Sequence, residues 1–191
     1  MPSTINASNG ATSGLISTGD ASGVLALQTN NGTTALTLGT DQSAAFAGKV
    51  TITGTTSSLG LVLTNMAEVT TVSATAAVGT ITYDVTTQSI LYYTVNATAN
   101  WTMNFRASSG TSLDSAMATG QAITVVFLAT NGPTAYYNSA VQVDGSSVTP
   151  KYQGGTAWSS GNASSIDAYV YTIIKTGAAT FTVLASQTRF A

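Results

Sequence analysis

Apolar and polar positions alternate along most of this chain with the period of an extended strand. The clearest run is Gln121–Thr130, QAITVVFLAT. Ile123, Val125 and Phe127 fall on one face of an extended chain and Thr124, Val126 and Leu128 on the other, so both faces are expected to be covered. Ile166–Lys175 and Ala178–Ser186 carry the same β-branched and aromatic text around Thr176-Gly177, which predicts a hairpin. Further strands are predicted at Thr80–Val85, Ser89–Val95, Trp101–Arg106, Tyr136–Val143 and Val148–Gln153. Gly, Asn, Asp and Pro mark the turns between them, at Asn131-Gly132-Pro133, Asp144-Gly145, Gly154-Gly155 and Gly161-Asn162. Leu113–Gly120 lacks this alternation and predicts one short helical turn or a loop. No sustained 3.6-residue stripe occurs.

The first third reads differently. Residues 1–20 are small, polar and Gly-rich, with Ile5, Leu15 and Ile16 as isolated apolar anchors. Leu25 and Leu27 then alternate on one face, as do Leu36 and Leu38, and Asn30-Asn31-Gly32 between them predicts a hairpin. Ala44–Ala47, with Phe46, and Lys49–Thr53 follow around Gly48. Such short one-sided strands are marginal alone in water and must lean on something, most simply on copies of themselves. Leu59, Leu61 and Leu63 predict another strand, and Thr70-Thr71-Val72 favours extension over helix. The expected architecture is all-β: an extended N-terminal arm or shaft with short hairpins (1–54), then an antiparallel, jelly-roll-like β-sandwich head (55–191).

Composition sharpens this picture. At 191 residues with 43% apolar residues, the chain can bury a good core. Only 6% of residues are charged, against roughly 25% in an ordinary soluble domain. The polar surface is therefore Ser, Thr, Asn, Gln and Gly, which suits a chain packed against copies of itself. Net charge is −2, and Lys49, Arg106, Lys151, Lys175 and Arg189 do not cluster, so no nucleic-acid partner is expected. The Ala122–Ala129 run is too short for a membrane span, and no membrane insertion is expected. MPSTINASNG has neither a basic region nor an apolar core, so no secretory leader is expected, and none of the five Asn-x-Ser/Thr sites is expected to carry glycan.

Two stretches resemble known proteins. GVLALQTNNGTTALTLGTDQSAAFAGKVTITG looks like segments of tailed-phage fibre proteins that precede a globular head. The later text, from FLATNG through KYQGGTAWSSGNASSIDAYVYTIIKT to FTVLASQTRF, is similar to C-terminal modules of virion structural proteins in marine and cyanobacterial tailed phages. The resemblance implies a virion structural protein, assembled in the host bacterial cytoplasm. On this reading it is a homotrimeric tail fibre or appendage whose arm docks on capsid, portal, tail or fibre proteins. Ile5, Leu15, Ile16, Leu25, Leu27, Leu36, Leu38 and Phe46 are the candidate docking or inter-chain residues.

Chemistry-bearing residues are few. With no histidine and no cysteine, triads, thiolate chemistry and nearly all zinc sites are excluded. There is no phosphate-binding glycine loop. Asp114, Asp144 and Asp167 could meet as a glycosidase pair, but Asp144 reads better as part of a hairpin turn, Asp114 as an N-cap or loop acid and Asp167 as a strand-entry residue. No enzymatic activity, metal or cofactor is expected. Tyr136, Tyr137, Tyr152 and Trp158 lie in one loop-rich stretch and form a candidate glycan platform, since ring faces pack on sugar C–H groups. Two other readings follow: a receptor-binding, lectin-like tip for host-surface glycan, and a capsid decoration (cement) protein. In the preferred reading these rings fill a core or an interface.

Overall fold

The computed structural model describes residues 24–29, 33–48, 50 and 66–191. The chain divides into two compact units, Met1–Thr64 and Asn65–Ala191.

In the first unit, β1 (Leu25–Thr29), β2 (Thr33–Leu38) and β3 (Ala44–Phe46) form an antiparallel sheet in the order β1-β2-β3. The register places Leu25 opposite Leu38 and Leu27 opposite Leu36, the pairing expected from the Leu alternation. The Asn30-Asn31-Gly32 turn lies outside the described residues. β2 and β3 are joined by a tight turn. Gly39 N–H donates to the Ser43 carbonyl at 2.9 Å, and the Asp41 carboxylate accepts from Ser43 N–H at 3.1 Å. A Cβ on Gly39 would sit 2.6 Å from that carboxylate, so a larger residue there would have to displace the Asp41 and Ser43 side chains. The strands expected at 49–53 and at Leu59–Leu63 lie outside the described residues, save residue 50.

The second unit contains β4 (Thr70–Ala76), β5 (Gly79–Asp84), β6 (Ile90–Val95), β7 (Trp101–Arg106), α1 (Leu113–Ala116), β8 (Ala122–Thr130), β9 (Asn138–Val143), β10 (Ser146–Val148), β11 (Lys151–Tyr152), β12 (Ile166–Gly177) and β13 (Thr180–Phe190). They form a four-stranded sheet, β10-β9-β7-β5, and a six-stranded sheet, β11-β13-β12-β8-β6-β4. Side chains from both sheets enter one core, built on Trp101, Tyr83, Phe105, Phe127, Tyr169, Tyr171 and Ile173.

The all-β class is as the alternation implies, but the strands are not uniformly antiparallel. β4, β6 and β8 pair in parallel in one sheet, and β5, β7 and β9 in parallel in the other. The cause is the path of the chain. From β4 to β9 it crosses to the opposite sheet at every step. One crossing reverses the chain and the next restores its direction, so successive strands in a sheet run the same way. The opposite sheet thus supplies the crossover that parallel neighbours require. Antiparallel pairing joins the hairpins β12–β13 and β9–β10 and also β12 with β8, which are separated by three strands in the chain.

Three boundaries differ from expectation for local reasons. The predicted strand Val148–Gln153 is two strands. Pro150 has no N–H to offer a ladder, and there the chain leaves the four-stranded sheet as β10 and joins the six-stranded sheet as β11. β9 starts at Asn138 rather than Tyr136, because the Asn131 side chain takes the Tyr136 backbone: Tyr136 N–H donates to Asn131 Oδ1 and Asn131 Nδ2 donates to the Tyr136 carbonyl, both at 3.1 Å. The β12–β13 reversal falls at Ala178-Ala179 rather than Thr176-Gly177. Ala179 takes φ 47° and its N–H donates to Asp114 Oδ1 at 2.7 Å, a tertiary tie invisible to turn propensity. The short helix expected in Leu113–Gly120 is α1.

Candidate functional site

Two of the proposed sites can be placed. In the first unit, Leu25–Leu38–Ala44 and Leu27–Leu36–Phe46 are cross-strand rows on one face of the three-stranded sheet. In the single chain this face is open: Leu25, Leu27, Leu38 and Phe46 are 42%, 43%, 38% and 57% exposed. Ile5, Leu15 and Ile16 lie outside the described residues.

The aromatic stretch in the second unit is built from the core outward. Ring contacts run edge-on from Tyr93 to Phe127 (5.2 Å between centroids), to Trp101 (5.8 Å), to Tyr169 (5.5 Å), to Trp158 (5.3 Å) and to Tyr152 (4.7 Å). Trp158 and Tyr152 are the outer end of this ladder and are half-buried. Trp158 Nε1–H donates to the Asn138 carbonyl. Asn138, itself buried, donates to the carbonyls of Trp101 and Ala140 and accepts from the Tyr171 hydroxyl at 3.0 Å. Tyr152 borders a depression of about 460 Å³ with Lys151 and Gln153, and Trp158 borders an adjoining one of about 200 Å³ with Thr156 and Gln187. Tyr136 and Tyr137 pack against the core from loop positions, pinned by Asn131 and by Asn100 Oδ1, which accepts from Tyr137 N–H. They line neither depression.

The three aspartates do not make a catalytic pair. The Asp144 carboxylate accepts the N–H groups of Leu113 and Asp114 at 2.6 and 2.9 Å and so holds the start of α1. Ser112, not Asp114, is the side-chain cap of that helix. Asp114 pairs with Lys175 at 2.8 Å. That hydrogen bond, with a second from Ala179 N–H, holds the Asp114 carboxyl below the usual range. Lys175 is buried and also donates to the carbonyls of Asp114 and Met117 at the end of α1.

Asp167 belongs to a separate buried cluster. Its Oδ2 accepts from Asn162 N–H (2.9 Å), Asn131 Nδ2 (3.1 Å) and Gln187 Nε2 (3.4 Å), while Oδ1 has no partner among the described residues. Burial pushes this carboxyl up, against those donors and the Arg189 charge. Gly161 seals the cluster: a Cβ there would lie 2.2 Å from the Tyr136 carbonyl oxygen and 2.7 Å from Asp167 Oδ2. Asn131, Asn138 and Gly161 escaped the sequence reading. The dipeptide Asn131-Gly132 read as a turn, and nothing local marks its amide as a buried brace. Among the described residues no three carboxylates gather where a metal could bind, and no helix is long and apolar enough to cross a membrane.

No family model, curated protein or solved structure matches the chain.

Proposed function

We propose that this chain is a structural protein of a tailed-phage virion, a homotrimeric fibre or appendage whose N-terminal arm attaches it and whose β-sandwich forms a head. The observation that carries the reading is the open leucine face of β1–β3, with Leu25, Leu27, Leu38 and Phe46 exposed together on a three-stranded sheet. A face of that composition is stable only when covered, and copies of the chain or a neighbouring virion protein are its natural cover. The 6% charge content and the resemblance of residues 14–54 and 79–191 to phage virion proteins support the same reading. The protein's work is attachment and assembly, not catalysis, and its place is the virion. The test is an antibody to the purified chain, imaged on virions of the phage that carries its gene. Label on a fibre, collar or capsid surface is expected. Virions free of both label and the protein overturn the proposal.

A second reading, a glycan-binding head, is favoured by one observation. The depressions beside Tyr152 and Trp158 adjoin, sharing Gln153, Ala185 and Ser186, and offer ring edges next to amides and hydroxyls. Binding of the purified chain to a glycan array, abolished by Trp158→Ala in a protein of unaltered melting temperature, selects this reading. Its absence leaves the rings as packing groups.

A further inference from the structure

The two sheets of the second unit turn very different faces outward. On the four-stranded sheet the outward rows are Thr82–Asn104–Gln142–Ser147 and Asp84–Arg106, the last an ion pair with two contacts. That face is made for water. On the six-stranded sheet, register places Phe127, Tyr169 and Tyr171 inward, so the alternate residues face out. One outward row is Val72–Tyr92–Leu128–Ala168–Thr188, the next is Thr70–Ile90–Val126–Val170–Ser186, and a third is Thr124–Thr172–Leu184. Among the described residues no outward position on β4, β6, β8, β12 or β13 is charged, and Lys151 on the edge strand β11 is the charge on that side. Val72, Leu184 and Phe190 are 64%, 44% and 55% exposed. An antiparallel or mixed sheet with one wet face ordinarily alternates apolar-in and polar-out. Here the four-stranded sheet does, while the outward face of the six-stranded sheet sets Val, Ile, Leu, Tyr and Phe among uncharged Thr and Ser.

We propose that the outward face of the six-stranded sheet is the contact through which the heads of neighbouring copies of this chain pack. The proposal rests on the reading of the chain as a homo-oligomer and adds to it: the arm is not the only seam, and the head contributes a second one. Its composition selects the occupant. A charged partner surface laid on this face would bury charges with nothing to pair them, which is costly. A second copy presents a face of the same kind, whose one charge, the exposed Lys151, lies on the edge strand where it can stay in water. The size also suits a specific contact. Five rows of alternate residues cross β8, β12 and β13, and two of them run on through β6 and β4. From strand rise and spacing that is roughly 300–400 Å² in projection, and side-chain relief brings it toward the ~600 Å² per partner at the low end of specific interfaces. The four-stranded face cannot serve equally, because it would have to bury the Asp84–Arg106 pair.

The chain has no cysteine, so single thiols report cleanly. Leu184→Cys and Val72→Cys place reporters on the proposed contact, and Thr82→Cys places one on the opposite outward face. All three positions are exposed in the single chain. The full-length variants are reacted with a polyethylene-glycol maleimide, and their particle mass is measured in the same buffer. The expected result is a multimer in which L184C and V72C label about tenfold or more slowly than T82C, the protection of covered sites. A multimer in which all three label alike overturns this contact while leaving the homo-oligomer intact. A particle of one chain removes the homo-oligomer itself, and slow labelling in it would mean the face is covered by the chain's own residues, which equally overturns the contact.

Discussion

Trp158 decides more than any other single residue, because it ends a ladder of rings that runs through the core. It touches Tyr152, Tyr169 and Tyr171 edge-on, and its indole N–H is taken by the Asn138 carbonyl. Trp158→Ala removes those contacts and frees that carbonyl. For a half-buried ring the loss should be about 2–3 kcal/mol, below the about 3–5 of a fully buried one. Urea unfolding checks it, and a loss under about 0.5 kcal/mol, the scale of surface changes, would contradict the packing role. Asp167 gives a prediction of opposite sign. Its folded carboxyl is raised by burial, so the stability it contributes is full below the ordinary carboxylate range and is lost as pH rises through the raised value. Asp167→Asn keeps an acceptor for Asn162, Asn131 and Gln187 and removes the buried charge. The variant should therefore match or exceed the parent in stability near neutral pH and lose that advantage in acid. Unfolding titrations at both ends check it, and a variant weaker than the parent at neutral pH contradicts it. Gly161→Ala, by contrast, drives a methyl into the Tyr136 carbonyl and should destabilise by about 1–3 kcal/mol, as overpacking does.

At the scale of elements, α1 is a clamp rather than a scaffold. Four residues of helix have no stability of their own. Asp144 holds the first turn and Lys175 the last carbonyls, so the β9–β10 turn and the end of β12 are fastened through α1. Lys175→Met leaves the carbonyls of Asp114 and Met117 without their donor, which should cost on the order of 2–3 kcal/mol. The same variant should lose part of its acid sensitivity. Asp114 is held low by Lys175, and the stability that gives is present above the ordinary carboxylate range and lost as pH falls. The arm sheet is the other element that matters. Leu36→Asp and Leu38→Asp put a carboxylate into an apolar seam, at a penalty of several kcal/mol per chain if that seam is buried between copies. The multimer should fall apart in light scattering while the circular dichroism of the head persists. Unchanged assembly in both variants would mean the leucine face is solvated.

For the whole molecule, alternation in the sequence was enough to reveal the class and most of the strands. Trp101–Arg106 is β7 to the residue, and Leu25, Leu27, Leu36 and Leu38 pair as their spacing implies. Direction was not legible, because whether a strand runs with or against its neighbour depends on which sheet the intervening strand joins. Alternation says which residues share a face, not which sheet holds them. The two-sided apolar text of Ala122–Thr130 was legible but ambiguous, since it fits a strand covered by its own chain or by another. The structure packs its inner face on the opposite sheet, where Trp101 meets Phe127 edge-on, and leaves Val126 and Leu128 of its outer face half-buried. Asn131 and Asp167 stood out only as a turn residue and a candidate acid; their joint role as buried braces was not legible, because the bond between them spans distant parts of the chain. Both open apolar faces, one on each unit, lead to the same claim, that this chain is built to be covered by copies of itself. The mass of the purified full-length protein at micromolar concentration, measured by light scattering, tests that claim most directly. The account predicts a particle of about three chains, the stoichiometry of the proposed homotrimer. A particle of one chain would contradict it.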